Sequence, residues 1–238
     1  MTGSDLAAAW APVAALVASL ARFPPRLDDR VWAPVAAGQV EQRTYAGDPA
    51  WIMGVGVLSV SREEAWLSLT DDHLSDDVSG LVEVALQGHW SSPKLLYQRL
   101  DLPWPIHDRH WVIGLTNNAA LATRAGVWER AWTLRTDALE GARTRTDTEA
   151  FDAAETVSVN EGSWLLVPLD AGHTLGIYQA RASLGGAIPD GAVDTYTRSS
   201  IRGLFEGVER HVNSVRARYG AGCSQQPGAD GAPIPCLN

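Results

Sequence analysis

Residues 189–219, PDGAVDTYTRSSIRGLFEGVERHVNSVRARY, hold the most strongly periodic stretch of the chain. Pro189 marks a boundary, and the spacing beyond it predicts a helix from Asp190 to about Tyr219. Ile201, Leu204, Phe205, Val208, Val212 and Val215 recur at helical intervals and form one apolar stripe. Arg198, Arg202, Glu206, Glu209 and Arg210 fall on the other side. Arg202–Glu206 and Glu206–Arg210 are spaced for weak surface pairs. Gly203 and Gly207 cost about 1 kcal/mol each relative to alanine. They read as tolerated weakness or as points of close backbone approach.

Upstream of this helix the period changes from helical to alternating. Trp51 to Leu58 reads as a strand with Trp51, Met53, Val55 and Val57 on one face, and Gly38 to Tyr45 is a weaker one before it. Ser61, with Glu64 three residues later, opens a short helix through Leu69 whose inner side carries Ala65, Trp66 and Leu69. Further strands are expected at Leu81–Leu86, Lys94–Leu100, Trp111–Thr116, Val127–Leu134, Glu155–Val159, Trp164–Pro168 and Thr174–Ala182. A first helix is expected from Leu6 to Arg22, stopping before Pro24 and Pro25. Helix, strands, helix, many strands and a long last helix describe an α+β protein. Its curved antiparallel sheet grips the C-terminal helix and leaves a hollow suited to a ligand.

The 238 residues suit one domain, and 45% hydrophobic with 20% charged residues is ordinary for a globular chain. The net charge of −9 argues against a nucleic-acid footprint, so no nucleic-acid partner is expected. Lys94 is the only lysine, a bias that fits a high-GC bacterial gene. Ala7 to Ala21 is apolar, but Asp5 stands where a leader would be positive and Pro12 interrupts the run. A buried or amphipathic helix is therefore preferred to a signal peptide, and the expected site of action is the cytoplasm. An exported form would follow only if this segment were a cleaved leader. Because no run of 18 apolar residues exists, no transmembrane helix is expected. Cys223 and Cys236 both lie in the Gly/Pro-rich tail, which shows no periodicity and is expected to be loose apart from any link between them.

Enzyme signatures are largely missing. The chain has no G-x-S-x-G elbow, no phosphate-binding G-x-x-x-x-G-K-[ST] loop and no H-E-x-x-H. His107 and His110 form an H-x-x-H, but prolines upstream and a strand downstream make it a turn rather than a metal-binding helix face. The acidic run Asp71, Asp72, His73, Asp76, Asp77 lacks calcium-loop spacing and reads as a solvated loop. No metal and no cofactor is expected. Tryptophan is the informative excess, with ten in the chain. Trp111/Ile113/Leu115, Trp128/Arg130/Trp132/Leu134 and Trp164/Leu166 alternate in strands, as core residues or as the wall of a cavity.

Two motifs weigh towards the cavity. Leu102-Pro103-Trp104-Pro105-Ile106-His107-Asp108-Arg109-His110-Trp111-Val112 resembles the signature that opens a central strand in START (steroidogenic acute regulatory protein-related lipid-transfer) domains. Tyr178 through Gly185-Gly186-Ala187-Ile188-Pro189 resembles that family's last strand, turn and entry to the C-terminal helix, and Gly162-Ser163-Trp164 and Pro168 also fit. The resemblance spans about Trp32 to Tyr219. It divides the chain into an N-terminal helix and lead-in (1–30), a START-like helix-grip domain (31–219) and a tail (220–238).

The resemblance implies a bacterial member of the wider helix-grip superfamily that holds one sterol, phospholipid or related lipid without catalysis, with transient membrane contact. It makes residues 117–126 a lid loop and the helix face from Ile201 through Leu204, Phe205 and Val208 to Val212 the cavity roof. Trp111, Ile113, Leu115, Trp132, Trp164 and Leu166 would form the wall. His110 stands where the family usually has aspartate, and Leu115 where sterol-binding members often carry an arginine. The head-group anchor must then come from elsewhere, with Arg130 and Tyr178 as candidates; Arg130 could equally lie on the outer face. The rival expectation is a cyclase- or hydrolase-like enzyme using His107, Asp108 and His110 as acid/base groups.

Overall fold

The computed structural model describes residues 1–71, 80–88, 92–104, 106–183, 190–219 (side chains from 201 in the last), 226–234 and 237. The Asp72–Asp77 part of the acidic run, Pro105, the 185–189 turn motif, Cys223 and Cys236 lie outside them. Helix α1 (Gly3–Leu20) leads to a short α2 (Trp32–Ala36), strands β1 (Glu41–Tyr45) and β2 (Trp51–Leu58), and helix α3 (Arg62–Thr70). Then come β3 (Leu81–Gln87), β4 (Lys94–Leu100), β5 (Arg109–Asn117), α4 (Ala119–Ala125) and β6 (Trp128–Leu134). Two short helices, α5 (Glu140–Arg143) and α6 (Thr148–Ala153), precede β7 (Glu155–Thr156), β8 (Val159–Pro168), β9 (Thr174–Ser183) and α7 (Asp190–Tyr219). The sheet runs β1-β2-β9-β8-β6-β5-β4-β3, antiparallel throughout, with β7 added in parallel to β5.

Local chemistry sets the element ends. Thr2 and Asp5 cap each other and start α1 one turn before the apolar run, while the extended backbone of Ala21 ends it ahead of the prolines. Ser61 and Glu64 form the same reciprocal cap on α3. β1 begins later than the alternation suggests, because Gly38 (φ 79°) and its neighbours return their N–H groups to α2 carbonyls. β8 runs through Gly162, which looks like a break in the sequence. A side chain at this position would strike the Gln179 carbonyl and the Trp132 ring. The missing Cβ is what lets the strand continue.

The two faces of the sheet carry different layers. Met53 and Val55 of β2, Leu165 and Val167 of β8, and Leu175 and Ile177 of β9 point to the outer face. There they bury Leu6 and Val17 of α1, Trp32 and Val35 of α2, and Leu121 of α4. The inner-facing residues of the same strands meet α3 and α7. By length and composition α1, 18 residues of mean hydropathy 1.4, is long and apolar enough to cross a membrane. This corrects the expectation that no such helix exists: an apolar-run count stops at Asp5 and Ser19, whereas the helix spends those polar residues at its ends. In the structure it packs beside α2 and α4, with Leu6 and Val17 buried in the outer layer.

The tail also departs from expectation. Residues 226–234 fold back in a turn closed by a Pro227–Pro233 bridge, and Ala229 and Ile234 are buried beside Trp66 and Trp128. The Trp66 Nε1 donates to the Pro227 carbonyl at 3.1 Å. Such packing needs only a few apolar residues at the right place, so it leaves no period in the sequence.

Candidate functional site

The register of the strands decides which side chains share the inner face. Cα partners across a sheet point the same way. Leu96–Ile113–Leu134, Lys94–Leu115–Trp132 and Gln98–Trp111 are therefore rows on one face, as are Asn117–Arg130–Trp164–Tyr178 and Trp128–Leu166. Trp111, Ile113, Leu115, Arg130, Trp132, Trp164, Leu166 and Tyr178 all lie on this face. Arg130 is inside, which settles the alternative of an outer position.

Helix α7 covers part of it. Ile201, Phe205, Val208 and Val215 are buried against Leu58, Trp128, Trp164 and Leu166, with Leu204 and Val212 half-buried at the edge. The Phe205 ring lies 4.9 Å from Trp164 and seats directly on the backbone of β2 and β9. A Cβ at Gly56 or Gly176 would come within 3.0–3.1 Å of it, and one at Gly54 would strike Ile201. The glycines of β2 and β9 thus form the bed of the helix.

Two carboxylates hold the far end of α7 to α3. Glu64 accepts from Arg216 Nε at 2.5 Å, and the buried Asp71 accepts from Arg218 Nη1 at 2.9 Å and the Tyr219 hydroxyl at 2.8 Å. Burial alone would raise the Glu64 carboxyl. The hydrogen bonds from Arg216 and Ser61 outweigh it and hold the group below its ordinary 4.5. Its stabilising contribution is then fully present above that value and is lost as pH falls through the depressed folded one. E64Q is accordingly expected to flatten the acid limb of the melting-temperature profile measured between about pH 3 and about pH 7. An unchanged limb would mean that the α3–α7 clasp carries no pH dependence.

The other half of the inner face has a core of its own. Trp111, Ile113 and Leu115 cluster with Leu96 and Leu100 and join the α7 cluster through the half-buried Trp132. These three residues of β5 are buried, each keeping 5–8% of its surface. The Trp132 ring stacks on Tyr178 at 5.7 Å, and Tyr178 tilts against Trp164 at 5.1 Å. Polar partners fix the indoles at the edges: Trp132 Nε1 donates to Asn160 Oδ1 (3.0 Å), and Trp111 Nε1 to Gln98 Oε1 (2.6 Å).

One end of this face is cationic. Arg130 is 4% exposed and Lys94 2%. Arg130 Nη1 donates to Asn117 Oδ1 at 3.0 Å, and its Nε has no partner among the described residues. Burial lowers the Arg130 guanidinium to about 10. Burial, reinforced by the charge of Arg130 and opposed by Asp71, pushes the Lys94 ammonium down to about 8. Sequence reading missed Lys94. Its position among Leu95, Leu96 and Leu100 in an alternating strand was the available signal.

The histidines sit elsewhere. His107 is exposed, and Asp108 accepts from the Leu102 N–H at 3.0 Å and faces Arg99. His110 is buried on the outer face, 4.5 Å from the Phe151 ring, with Nε2 3.1 Å from Thr156 Oγ1. Burial, chiefly, lowers its pKa. The three groups do not converge and none reaches the inner face, so the acid/base cluster expected by the rival reading does not form. No group of three or more metal-ligating side chains forms among the described residues.

The segment expected to be a lid loop is also different. Residues 119–125 form α4, capped by Asn118 and anchored on the outer layer by the fully buried Leu121. Beside it, a recess of about 220 Å³ on the outer side is walled by Leu20, Arg22, Asn118 and Glu129. Asn117, the amide that accepts from Arg130, also lines it.

No protein-family model matches the chain, and no curated protein matches it in sequence. Solved structures do. The STAR-related lipid transfer protein (fragment 25–204) from Xanthomonas axonopodis is 20% identical over 72% of this chain and 91% of its own, with a TM-score of 0.57. Human StAR-related lipid transfer protein 5 is 14% identical over 86% and 98%, with a TM-score of 0.56. An aromatase/cyclase from Streptomyces sp. R1128 matches at 16% identity over 77% and 99%, but its TM-score of 0.47 is too low to carry an argument. A nine-stranded antiparallel sheet closed around a long C-terminal helix is thus the helix-grip fold of the STAR-related lipid-transfer structures.

Proposed function

We propose that this chain binds one lipid, a sterol, phospholipid or related molecule, between the inner face of the sheet and α7. It acts in the cytoplasm as a carrier without catalysis, touching membranes transiently. The observation that carries this reading is a mismatch of widths. Eight strands about 4.8 Å apart span roughly 34 Å, whereas one helix with its side chains is about 10 Å across. Helix α7 packs with Trp164, Leu166 and Phe205, while the apolar surface continues across β5 to Trp111, Ile113 and Leu115. Packing acyl or ring carbons against these side chains contributes about 0.8 kcal/mol per methylene.

The pocket wall is then Trp111, Ile113, Leu115, Trp132 and Tyr178, with Leu204 and Val212 at the helix edge. Ile201, Phe205, Val208, Trp164 and Leu166 hold the helix to the sheet beside it. Native mass spectrometry of the purified protein, followed by organic extraction, is expected to show one lipid per chain. Trp132→Asp is expected to lose it while the fold remains, because this ring is only half-buried. Protein that carries no lipid and takes none from a total lipid extract would overturn the reading.

A further inference from the structure

We infer that Arg130, with Lys94 beside it, receives the anionic head group, a carboxylate or a phosphate, of an acyl-chain amphiphile; the assignment rests on the lipid reading above. The inner face is mainly apolar; Gln98 and Asn160 pair with its indoles, and Arg109, buried at the opposite end, pairs with Glu155 at 3.0 Å, whereas this end holds the buried cations Arg130 and Lys94. Arg130 projects from β6 between Trp128 and Trp132 and pairs in register with Asn117. Lys94 opens β4 and pairs with Leu115, two residues before Asn117 on the same face of β5. The two long side chains therefore approach each other diagonally across β5, close enough for the charge of Arg130 to act on Lys94.

A guanidinium this deeply buried ordinarily has a carboxylate, since removing a charge from water without a counter-charge costs several kcal/mol. Arg130 has none among the described residues. Its one hydrogen bond goes to a neutral amide, and its Nε remains unpartnered. Lys94 lies in the field of Asp71, so the charge in question is that of Arg130. A neutral sterol hydroxyl or glyceride ester would satisfy a donor while leaving the charge uncompensated. A carboxylate or phosphate satisfies both, with its chain running along Leu115, Ile113 and Trp111.

Calorimetric titration tests this with four probes: oleate, oleoyl lysophosphatidate, monooleoylglycerol and inorganic phosphate. Oleate or the lysophosphatidate is expected to bind about tenfold to a hundredfold more tightly than monooleoylglycerol, the range of a charge-assisted hydrogen bond. Which of the two binds more tightly identifies the head. Arg130→Met is expected to abolish that preference and Arg130→Lys to restore part of it; Lys94→Met gives the same readout should Arg130→Met not fold. Equal binding of oleate, lysophosphatidate and monooleoylglycerol by the unaltered protein would overturn the anionic assignment and leave the lipid reading standing. Binding of inorganic phosphate alone would reduce the site to an ion site. Binding of none of the acyl probes by protein that still takes a lipid from a total extract would overturn the acyl-chain assignment alone; with no lipid taken from the extract either, the lipid reading itself falls.

Discussion

Phe205→Ala is expected to lower the unfolding free energy by about 3–5 kcal/mol, the range for removing a fully packed aromatic side chain. Phe205 is 3% exposed and fills the space left by Gly56 and Gly176 while its ring meets Trp164. Neither β2 nor β9 has a side chain at these positions that could move into the vacancy. The cavity would therefore remain, and the loss should fall in the upper part of the range. The reciprocal change, Gly176→Val, is expected to push α7 off the sheet. Its Cβ would lie 3.0 Å from the Phe205 ring and 3.2 Å from Leu58, before the two methyl groups are counted. Urea unfolding followed by tryptophan fluorescence measures both. A loss below about 1 kcal/mol for Phe205→Ala would mean that α7 is not seated on this bed.

Glu129→Ala is the second large effect. Glu129 is 0% exposed on the outer face, where its carboxylate accepts from the Arg22 N–H (2.9 and 3.0 Å) and from Asn118 Nδ2 (2.7 Å). Asn118 in turn donates to the Leu20 carbonyl and accepts from Leu121 N–H, so one buried acid ties the end of α1 to the cap of α4. Truncation leaves several of these donors without the charged acceptor, at a cost of about 3 kcal/mol. Hydrogen exchange should show α1 and α4 opening first in E129A. Protection of α1 equal to that of the unaltered protein would contradict this role. Burial, the dominant influence, raises the Glu129 carboxyl above its ordinary 4.5 despite the donors around it. A raised acid favours folding at low pH and loses that contribution as pH rises through the folded value, opposite in sign to Glu64. E129Q, uncharged at every pH, should remove this slope.

Most of the fold was legible in the order and period of the elements. The stripe from Ile201 to Val215 specified α7, and alternation specified β2 and β4 with their observed ends. Ser61 and Glu64 specified α3, because a cap is a contact between residues three apart. Period-two alternation also grouped Trp111, Trp128, Trp132 and Trp164 with their strand neighbours, and the register puts these four on the inner face. These features are local, so a single chain read in order displays them.

What only the tertiary structure decided are the contacts between distant residues. Alternation grouped Arg130 with Trp128 and Trp132, but the pairing with Asn117 and the position of α7 determine that it is buried. Lys94 stood out in the sequence only as the sole lysine, because a single lysine opening a strand has no period that assigns it to a site. His107, Asp108 and His110 are close in sequence yet apart in space, since β5 begins only at Arg109: His107 and Asp108 belong to the turn before it, while His110 is a strand residue facing the outer layer. The lid expected at 117–126 became a helix because Leu121 found a place beneath α1, and the tail found Trp66 and Trp128. Sequence period decides which face a residue shares; only the packing of the layers decides what that face meets.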